Sequence, residues 1–597
     1  MRRAFVQTFR TARRLPVWKV AGKRPSPLYF NQNQVRGLRQ YSGGRHSPFL
    51  QARPRSSMYF RNFGLAAIST VVASGAWYAY QGDGSAQSLA TQVRAFASSA
   101  IASAHAEGPP DSTRRGLLVS NDQFYTATLS QDQPLTKETD DSDRRMLNML
   151  TPEQATEKLR KNEESYLVNR GKGVVRYDIV QVPSNSPIED DHAELIVEVP
   201  ASVAANQNGE PSSDWSFWGV FDGHSGWTTS AKLRNVLISY VARELNATYK
   251  SAAADPSVLI PSSEAIDSAI KQGFLRLDHD IVNESVNKVL KANSRRMAAE
   301  LLAPALSGSC ALLSFYDSQS QNLKVAVAGD SRAVLGRRGP NGKWTAKALS
   351  EDLTGGTPSE IKRLQEEHPG EPYVTRNGRI LGNLEPSRAF GDAVYKWTKD
   401  IQDKIKGHFF GRTPSPLLKT PPYVTAEPVV TTTKIDPSKG DFVVMATDGL
   451  WEMLSNEEVV GLVGQWLEQQ SGSSSTAWLQ SWFSFGGNKQ LPVEAAGEAS
   501  TAGQRRPIRQ QQYDIPPAGS RFVVEDKNAA THLVRNAMGG KDKEMITALL
   551  TLPAPYSRRY RDDITVEVIF FGQGPDSRTV ERNEEASAAE EPPKAKL

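Results

Sequence analysis

The sequence places acidic residues directly beside apolar segments, and the clearest case is Asp222-Gly223-His224. The preceding residues, Trp215–Phe221, are bulky and apolar, and the glycine that follows predicts a buried strand that ends at Asp222. A carboxylate and an imidazole at the end of such a strand can hold a metal ion and move a proton. The alternative is a strand-to-helix turn in which Asp222 and His224 are capping residues.

The same context recurs at Asp190, Asp448 and Asp562, which are far apart in the sequence. Each of them alone would more often be a turn residue. If the four carboxylates met without cations, each would raise the pKa of the others. Two hard cations bridged by carboxylates would relieve that repulsion and lower the pKa of a bound water toward neutrality. Together, the four positions predict a metal centre suited to attack on phosphorus.

Composition limits the kind of metal site that is possible. Cys310 is the single cysteine of the 597 residues, which excludes an intrachain disulfide and a zinc site made of cysteines. Oxygen and histidine ligands favour Mg²⁺ or Mn²⁺. Of the 71 Lys and Arg residues, 14 lie in residues 1–82, which contain no Asp or Glu, so the rest carries a net charge of about −9. This charge balance does not indicate a nucleic-acid-binding surface.

The N-terminal residues have the composition of a targeting sequence. Residues 1–60 are rich in Arg and Ser and contain no acidic residue, which predicts a mitochondrial transit peptide, with a disordered basic arm as the alternative. Within 61–81, the uncharged stretch Phe63–Tyr80 would span about 27 Å as a helix, close to the ~30 Å of a hydrocarbon core. We expect a transmembrane anchor there, or else an apolar part of the targeting sequence. Residues 82–145 show no clear period and are predicted to be a linker.

The elements that would position the acidic residues follow from periodicity. Thr151-Pro152-Glu153-Gln154 predicts a helix start with a capping box, and the helix should continue to about Tyr166. A strand is expected over Val174–Val182, and further helices after Gly226 and from about Ser263. Several apolar strands and two long helices predict two sheets covered by helices, an α+β sandwich.

Two C-terminal stretches depart from this order. Residues 470–520 are rich in Ser, Gln, Gly and Ala and predict a long flexible surface insertion, whose Trp478, Trp482 and Phe485 would dock on the domain or on a partner. Residues 573–597 are acidic and Ala-rich and predict a disordered tail. The tail ends in Ala595-Lys596-Leu597, which resembles a peroxisomal signal.

Eight motifs, in order, resemble those of the metal-dependent type 2C protein Ser/Thr phosphatases over residues 170–572, within a predicted domain of 146–572. The motifs are Ile188-Glu189-Asp190, Phe221-Asp222-Gly223-His224-Ser225-Gly226, Ser307-Gly308-Ser309, Val327-Ala328-Gly329-Asp330-Ser331-Arg332, Leu349-Ser350-Glu351-Asp352, Ser387-Arg388-Ala389-Phe390-Gly391-Asp392, Ala446-Thr447-Asp448-Gly449-Leu450-Trp451-Glu452 and Arg561-Asp562-Asp563-Ile564-Thr565.

The resemblance implies a β-sandwich of two antiparallel sheets flanked by helix pairs, with two Mg²⁺ or Mn²⁺ ions. Asp222 would bridge both ions, and the carbonyl of Gly223 would bind one of them. Asp448 and Asp562 would complete the shell of the second ion. Asp330 matches a position that helps to hold a weaker third ion.

The resemblance also implies roles for neighbouring residues. Asp190 and Glu189 would hold metal-bound waters, and His224 would protonate the departing Ser or Thr oxygen. Asn185 stands where many relatives carry an Arg that grips phosphate, so phosphate binding must rely on metals and water or on another cation. Asp563 replaces a common Asn, and its carboxylate either alters the metal shell or faces a local donor.

Within the family, the chain resembles the mitochondrial branch, the pyruvate dehydrogenase phosphatase catalytic subunits, in Asn185–Asp190, Pro421–Pro428 and Tyr560–Thr565. This implies phosphorylated pyruvate dehydrogenase E1α as the substrate. The alternatives are a mitochondrial or peroxisomal phosphatase with other substrates, and a catalytically silent scaffold. We expect a mitochondrial, inner-membrane-associated protein in the matrix or the intermembrane space, with a second pool in peroxisomes.

Overall fold

The computed structural model describes residues 113–119, 124–130, 145–199, 213–254, 260–472, 491–495, 504–509 and 521–589. The predicted transit peptide, 1–60, and the predicted anchor, 61–81, lie outside these residues. So do the aromatic residues of the insertion and the C-terminal tripeptide. Within the described part of the chain, every helix is too short or too polar to cross a membrane.

Twenty strands are formed by the described residues. They are β1 Thr113–Val119, β2 Phe124–Ser130, β3 Arg145–Asn148, β4 Glu164–Arg170, β5 Val174–Val182, β6 Asp191–Val199, β7 Ser213–Phe221, β8 Gly223–His224, β9 Gly308–Ser309, β10 Ala311–Asp317, β11 Asn322–Ala328, β12 Arg332–Arg338, β13 Trp344–Ala348, β14 Thr375–Arg376, β15 Arg379–Ile380, β16 Phe390–Gly391, β17 Val429–Lys434, β18 Phe442–Ala446, β19 Ile564–Phe571 and β20 Asp576–Arg582.

The α-helices of the same residues run between and after these strands. They are α1 Pro152–Arg160, α2 Thr228–Ala253, α3 Ser263–His279, α4 Ser285–Ala292, α5 Arg295–Leu301, α6 Ala303–Leu306, α7 Pro358–Glu367, α8 Lys399–His408, α9 Asp448–Trp451, α10 Asn456–Gly472, α11 Ala529–Ala537 and α12 Lys543–Thr551.

Two antiparallel sheets stack on each other. Their strand orders are β17-β11-β10-β7-β6 and β13-β12-β18-β19-β5-β4-β20. Residues such as Trp218 of the first sheet and Met445 of the second are buried in the layer between them. Helices α2 and α3 pack on the outer face of the first sheet, and α10 and α11 on that of the second. The predicted α+β sandwich of two antiparallel sheets flanked by helix pairs is confirmed.

The strand register brings distant motifs to one end of the sandwich. Asp191, which begins β6, pairs with Phe221 at the end of β7, so Asp190 lies beside Asp222. In the other sheet Ala446, at the end of β18, pairs with Val566 near the start of β19. Neighbouring strands are antiparallel, so the end of one strand lies at the same edge of the sheet as the start of the next. The acidic motifs meet there.

Two stretches expected to lack structure are ordered in part. The predicted linker, 82–145, contains β1 and β2, and its Leu117 and Phe124 are buried in the core under the helices of the larger sheet. The Phe124 ring lies 5.0 Å from that of Tyr560. The predicted disordered tail, 573–597, contains β20, and Ala586 is buried, with its carbonyl accepting a hydrogen bond from Asn528. In both stretches a few apolar residues pack against the domain. Because polar residues surround them in the sequence, the average composition of each stretch does not predict this packing.

The helix that begins after Thr151 is also shorter than predicted. Its capping box is formed as expected, but it ends at Arg160 instead of about Tyr166. The following residues, Glu164–Arg170, form β4. Aromatic and β-branched residues in this stretch favour a strand that can pair with β5.

A polar cluster interrupts the layer between the sheets. One ligand atom each of His192, Glu194 and Glu567 lies within 4.8 Å of the others. His192 Nδ1 and Glu194 Oε1 are 2.6 Å apart. Glu567 is fully buried, and burial, followed by the charge of Glu194, raises its pKa well above the ordinary value. The folded protein therefore keeps Glu567 protonated at a pH where the unfolded chain ionises it.

We predict that Glu567→Gln stabilises the protein at alkaline pH. An acid whose pKa is raised on folding costs stability as the pH rises above its unfolded value, about 4.3, and glutamine carries no such titration. Urea unfolding should give a gain on the order of 1–3 kcal/mol at pH 8, which disappears near pH 4. Glu581→Gln, on the exposed strand β20, is the matched control and should have little effect at either pH. A variant less stable than wild type at pH 8 would contradict this assignment.

Candidate metal centre

Three carboxylates converge at the edge where the motifs meet. One oxygen each of Asp222, Asp330 and Asp448 lies within 4.8 Å of the other two. Asp222 follows β7, Asp330 follows β11, and Asp448 begins α9 directly after β18. The site is therefore built by both sheets. It brings together Asp222 and Asp448, two of the four predicted acids, with Asp330, which the resemblance assigned to a weaker third ion.

The electrostatics of these carboxylates are unfavourable without a cation. Burial raises the pKa of Asp222 well above its ordinary value, and the charge of Asp448 raises it further. Burial and then the charge of Asp330 raise the pKa of Asp448 to about 7. Asp448 Oδ1 is buried and has no hydrogen-bond partner among the described residues. Clustered acids with an unpartnered oxygen are what a divalent cation would neutralise.

The donor set fits a hard cation. The converging ligands are carboxylate oxygens, which Mg²⁺ and Mn²⁺ prefer. Gly223 packs tightly here, since a Cβ at this position would lie 2.0 Å from the carbonyl oxygen of Glu189. Only glycine allows the chain to turn this closely beside Asp222.

Asp190 and Glu189 are held by fixed donors beside the three acids. Asp190 is 4% exposed, and its Oδ2 accepts hydrogen bonds from Thr447 Oγ1 at 2.9 Å and from Thr565 Oγ1 at 2.8 Å. Glu189 Oε1 accepts one from the backbone N–H of Gly226 at 2.7 Å. Two hydroxyls therefore orient Asp190, and nothing in the sequence predicted this role for either threonine.

Asp562 and Asp563 have different surroundings. Asp562 is not one of the three converging acids; its carboxylate forms an ion pair with Arg558. Asp563 accepts hydrogen bonds from the backbone N–H groups of Asn185 and Glu189, both at 2.9 Å. Of the two alternatives for Asp563, the geometry favours the local donors. Asp563 fixes the loop that carries Glu189 and Asn185.

His224 is paired with an acid from another motif. Its Nε2 lies 2.7 Å from Asp392 Oδ2, because the small sheet β16-β9-β8 brings the two segments together. Gly308 of β9 makes room for this pair, since a Cβ there would lie 2.1 Å from His224 Nε2. Burial by itself lowers the pKa of His224, but the charge of Asp392 and its hydrogen bond outweigh burial and raise that pKa above the ordinary value.

Two arginines that lie outside the predicted motifs are found at this site. Arg558 pairs with Asp562, and Arg505 lies 3.9 Å from both Asp330 and Asp448. Arg505 belongs to the predicted insertion, 470–520, in which no motif marked it. Asp392 lies within one of the eight motifs, but its position in the sequence does not predict its contact with His224. Both arginines therefore place a positive charge beside acids of the predicted motifs.

Comparison with known proteins agrees with this site. Residues 197–478 match the family described as Protein phosphatase 2C. A protein phosphatase 2C homolog from Schizosaccharomyces pombe is 44% identical over 422 residues, which cover 70% of this chain and 85% of that protein. The chain belongs to the protein phosphatase 2C family, and it is a metal-dependent protein serine/threonine phosphatase.

Relatives with a more specific name are also similar to this chain. The mitochondrial pyruvate dehydrogenase (acetyl-transferring) phosphatase 1 of Saccharomyces cerevisiae is 45% identical over 430 residues, covering 70% of this chain and 72% of that protein. Its counterpart from Bos taurus is 32% identical over 486 residues, covering 71% and 83%. These identities confirm the predicted resemblance of the sequence to the pyruvate dehydrogenase phosphatases.

We predict that Asp448→Asn stabilises the metal-free protein and weakens its stabilisation by Mn²⁺. In EDTA the variant should melt at a higher temperature than wild type, because one of the repelling charges is gone. Mn²⁺ at about 100 times its Kd should stabilise wild type by about 2.7 kcal/mol per site, and the variant should lose most of that gain. Thermal unfolding with EDTA and with MnCl₂ gives both values.

The matched control for this experiment is Asp400→Asn, which makes the same change at an exposed position of α8. It should leave both melting temperatures near those of wild type. An equal Mn²⁺-induced gain in Asp448→Asn and wild type would show that Asp448 is not a ligand.

Proposed function

We propose that this phosphatase acts in mitochondria on the phosphorylated E1α subunit of pyruvate dehydrogenase. The observation that carries the substrate proposal is the 45% identity to the yeast enzyme named for this activity. The acid-free, Arg-rich residues 1–60 support import into mitochondria. Inner-membrane attachment through 61–81 and a peroxisomal pool remain predictions from the sequence.

The proposed metal ligands are Asp222 and Asp448 of the converging acids, together with Asp562 and the carbonyl of Gly223, which the family resemblance adds. They would hold two divalent ions, Mg²⁺ or Mn²⁺. Asp330, which the resemblance assigns to a weaker third ion, lies beside Arg505. Bound ions of this kind polarise a phosphoryl oxygen and supply an activated water. The unpartnered Oδ1 of Asp448 supports this assignment.

The chain's own residues would orient that water. Thr447 and Thr565 hold Asp190 in one orientation, so its free carboxylate oxygen can accept a hydrogen bond from a water in the site. Gly226 and Asn185 hold Glu189 in the same way. These fixed acceptors would position a nucleophilic water before substrate binds.

His224 is proposed to protonate the departing Ser or Thr oxygen. Its raised pKa keeps the imidazolium populated near neutral pH, which a general acid requires. Asp392 would hold the ring through Nε2 and stabilise its positive charge. In this proposal, Asp392 is a positioning residue that acts through His224.

We predict that Asp392→Asn shifts the pH profile of kcat. Removing the carboxylate lowers the pKa of His224, so its acid form is lost at a lower pH. The alkaline limb should move by about one pH unit toward acid, while activity near pH 6 is retained in large part. His224→Ala should abolish that limb.

The comparison is made on a phosphopeptide in which departure of the Ser or Thr oxygen limits the rate. An alkaline limb at the same pH in Asp392→Asn and in wild type would contradict the proposed role of the pair. Circular dichroism of each variant controls for folding.

We predict that the purified chain dephosphorylates E1α within the intact pyruvate dehydrogenase complex far faster than unrelated phosphoproteins of similar size. Release of ³²P from the complex, compared at equal phosphate concentration, measures this preference. Asp222→Asn should be inactive on every substrate, because it removes the proposed bridging ligand.

Equal rates on all phosphoproteins would contradict the substrate proposal and leave the phosphatase activity standing. Protease protection in isolated mitochondria, before and after rupture of the outer membrane, tests location independently. Digestion only after rupture would place the domain in the intermembrane space, away from matrix dehydrogenase.

A further inference from the structure

The short segment 504–509 of the predicted insertion lies across the acidic cluster. Its backbone is fixed at Arg505, whose N–H donates to Asp352 Oδ2 at 2.9 Å and whose carbonyl accepts from Arg332 Nη2 at 3.1 Å. Gln504 Nε2 donates to the carbonyl of Ser350 at 3.1 Å. Residues of two phosphatase motifs therefore hold the segment in place.

The partners of Arg505 are themselves well anchored. Arg332 and Asp352 are both buried and form an ion pair at 2.5 Å. Arg332 also donates to Asn456 Oδ1 at 2.9 Å. The backbone of Arg505 is thus held by hydrogen bonds to two buried residues, which fixes the point from which its side chain extends.

The side chain of Arg505 extends from there into the carboxylates. Its Nη2 lies 2.8 Å from Glu385 Oε1, and its Nη1 lies 3.9 Å from both Asp330 Oδ2 and Asp448 Oδ2. The side chain is 32% exposed. Its charge opposes the effect of burial on the pKa of Asp330. The guanidinium therefore supplies positive charge at the side of the cluster formed by Asp330 and Asp448.

We propose that Arg505 takes the place of the weaker third ion, so that this enzyme works with two metal ions and one permanent side-chain cation. The inference rests on the proposed metal ligands. A divalent ion bound to Asp330 and Asp448 would lie about 2.0–2.6 Å from their oxygens. The guanidinium lies 3.9 Å from the same oxygens, so the two cations would repel each other at close range.

The two kinds of cation differ in how they respond to conditions. An arginine stays protonated at every physiological pH, whereas occupancy of a weak metal site follows the free concentration of the ion. The charge beside Asp330 is therefore constant in this enzyme. Its activity should depend on two ions only.

The experiment counts Mn²⁺ ions on the full chain by isothermal titration and by electron paramagnetic resonance of free Mn²⁺. Wild type is expected to bind about two ions, and Arg505→Gln about three, since the freed carboxylates can then coordinate an additional ion. Arg505→Lys keeps the charge and should return the count to about two. Arg506→Ala changes the exposed neighbouring arginine and should match wild type.

A second measurement changes Asp330, first in a chain that keeps Arg505 and then in Arg505→Gln. Asp330→Asn in the otherwise wild-type chain should leave the count at about two, whereas in Arg505→Gln it should remove the added ion. A count of about three in wild type that falls in Asp330→Asn would overturn the inference. An unchanged count in Arg505→Gln with a KM raised about tenfold would overturn it as well, and would make Arg505 a substrate contact.

These outcomes are distinguishable from failure of the proposed metal centre. If wild type bound no Mn²⁺, the assignment of Asp222 and Asp448 would fall together with this inference. If wild type bound ions that Asp222→Asn removed, the centre would stand, and only the count in the Arg505 variants would decide the role of Arg505.

Discussion

The repulsion among Asp222, Asp330 and Asp448 is the constraint on which this structure depends. Burial, followed by the charges of neighbouring carboxylates, raises the pKa of Asp222 and Asp448, that of Asp448 to about 7, so ionising these acids destabilises the folded chain unless cations bind. The apolar layer buried between the two sheets stabilises the fold against this electrostatic cost. The fold therefore stabilises an arrangement that its functional side chains oppose, as is common at catalytic sites.

Much of the fold could be predicted from local pattern. The apolar runs that end in Asp222 and Asp448 are strands, and the capping box at Thr151 begins a helix. The strands β1 and β20 could not be predicted in this way, because each lies in a stretch rich in polar residues and is stabilised by contacts with distant residues. Such tertiary contacts decide strand formation more than intrinsic propensity does.

The candidate site could be predicted from the sequence only where the residue type itself indicates a function. Aspartates at strand ends suggested ligands, and three of them converge. The pairing of His224 with Asp392 depends on a small sheet of two-residue strands, and the position of Arg505 depends on a buried Arg332–Asp352 pair. Neither sequence separation nor composition encodes these distances. For Asp563 the sequence left open the metal shell and a local donor, and the hydrogen bonds from Asn185 and Glu189 favour the local donor.

The central claim is that the acidic cluster is a divalent metal centre, and the most direct measurement is anomalous X-ray scattering from crystals loaded with Mn²⁺. The account predicts Mn²⁺ peaks within ligand distance, about 2.0–2.6 Å, of Asp222 and Asp448, with no peak between Asp330 and Arg505. Saturating Mn²⁺ in an active crystal without any peak near Asp222 would contradict the account.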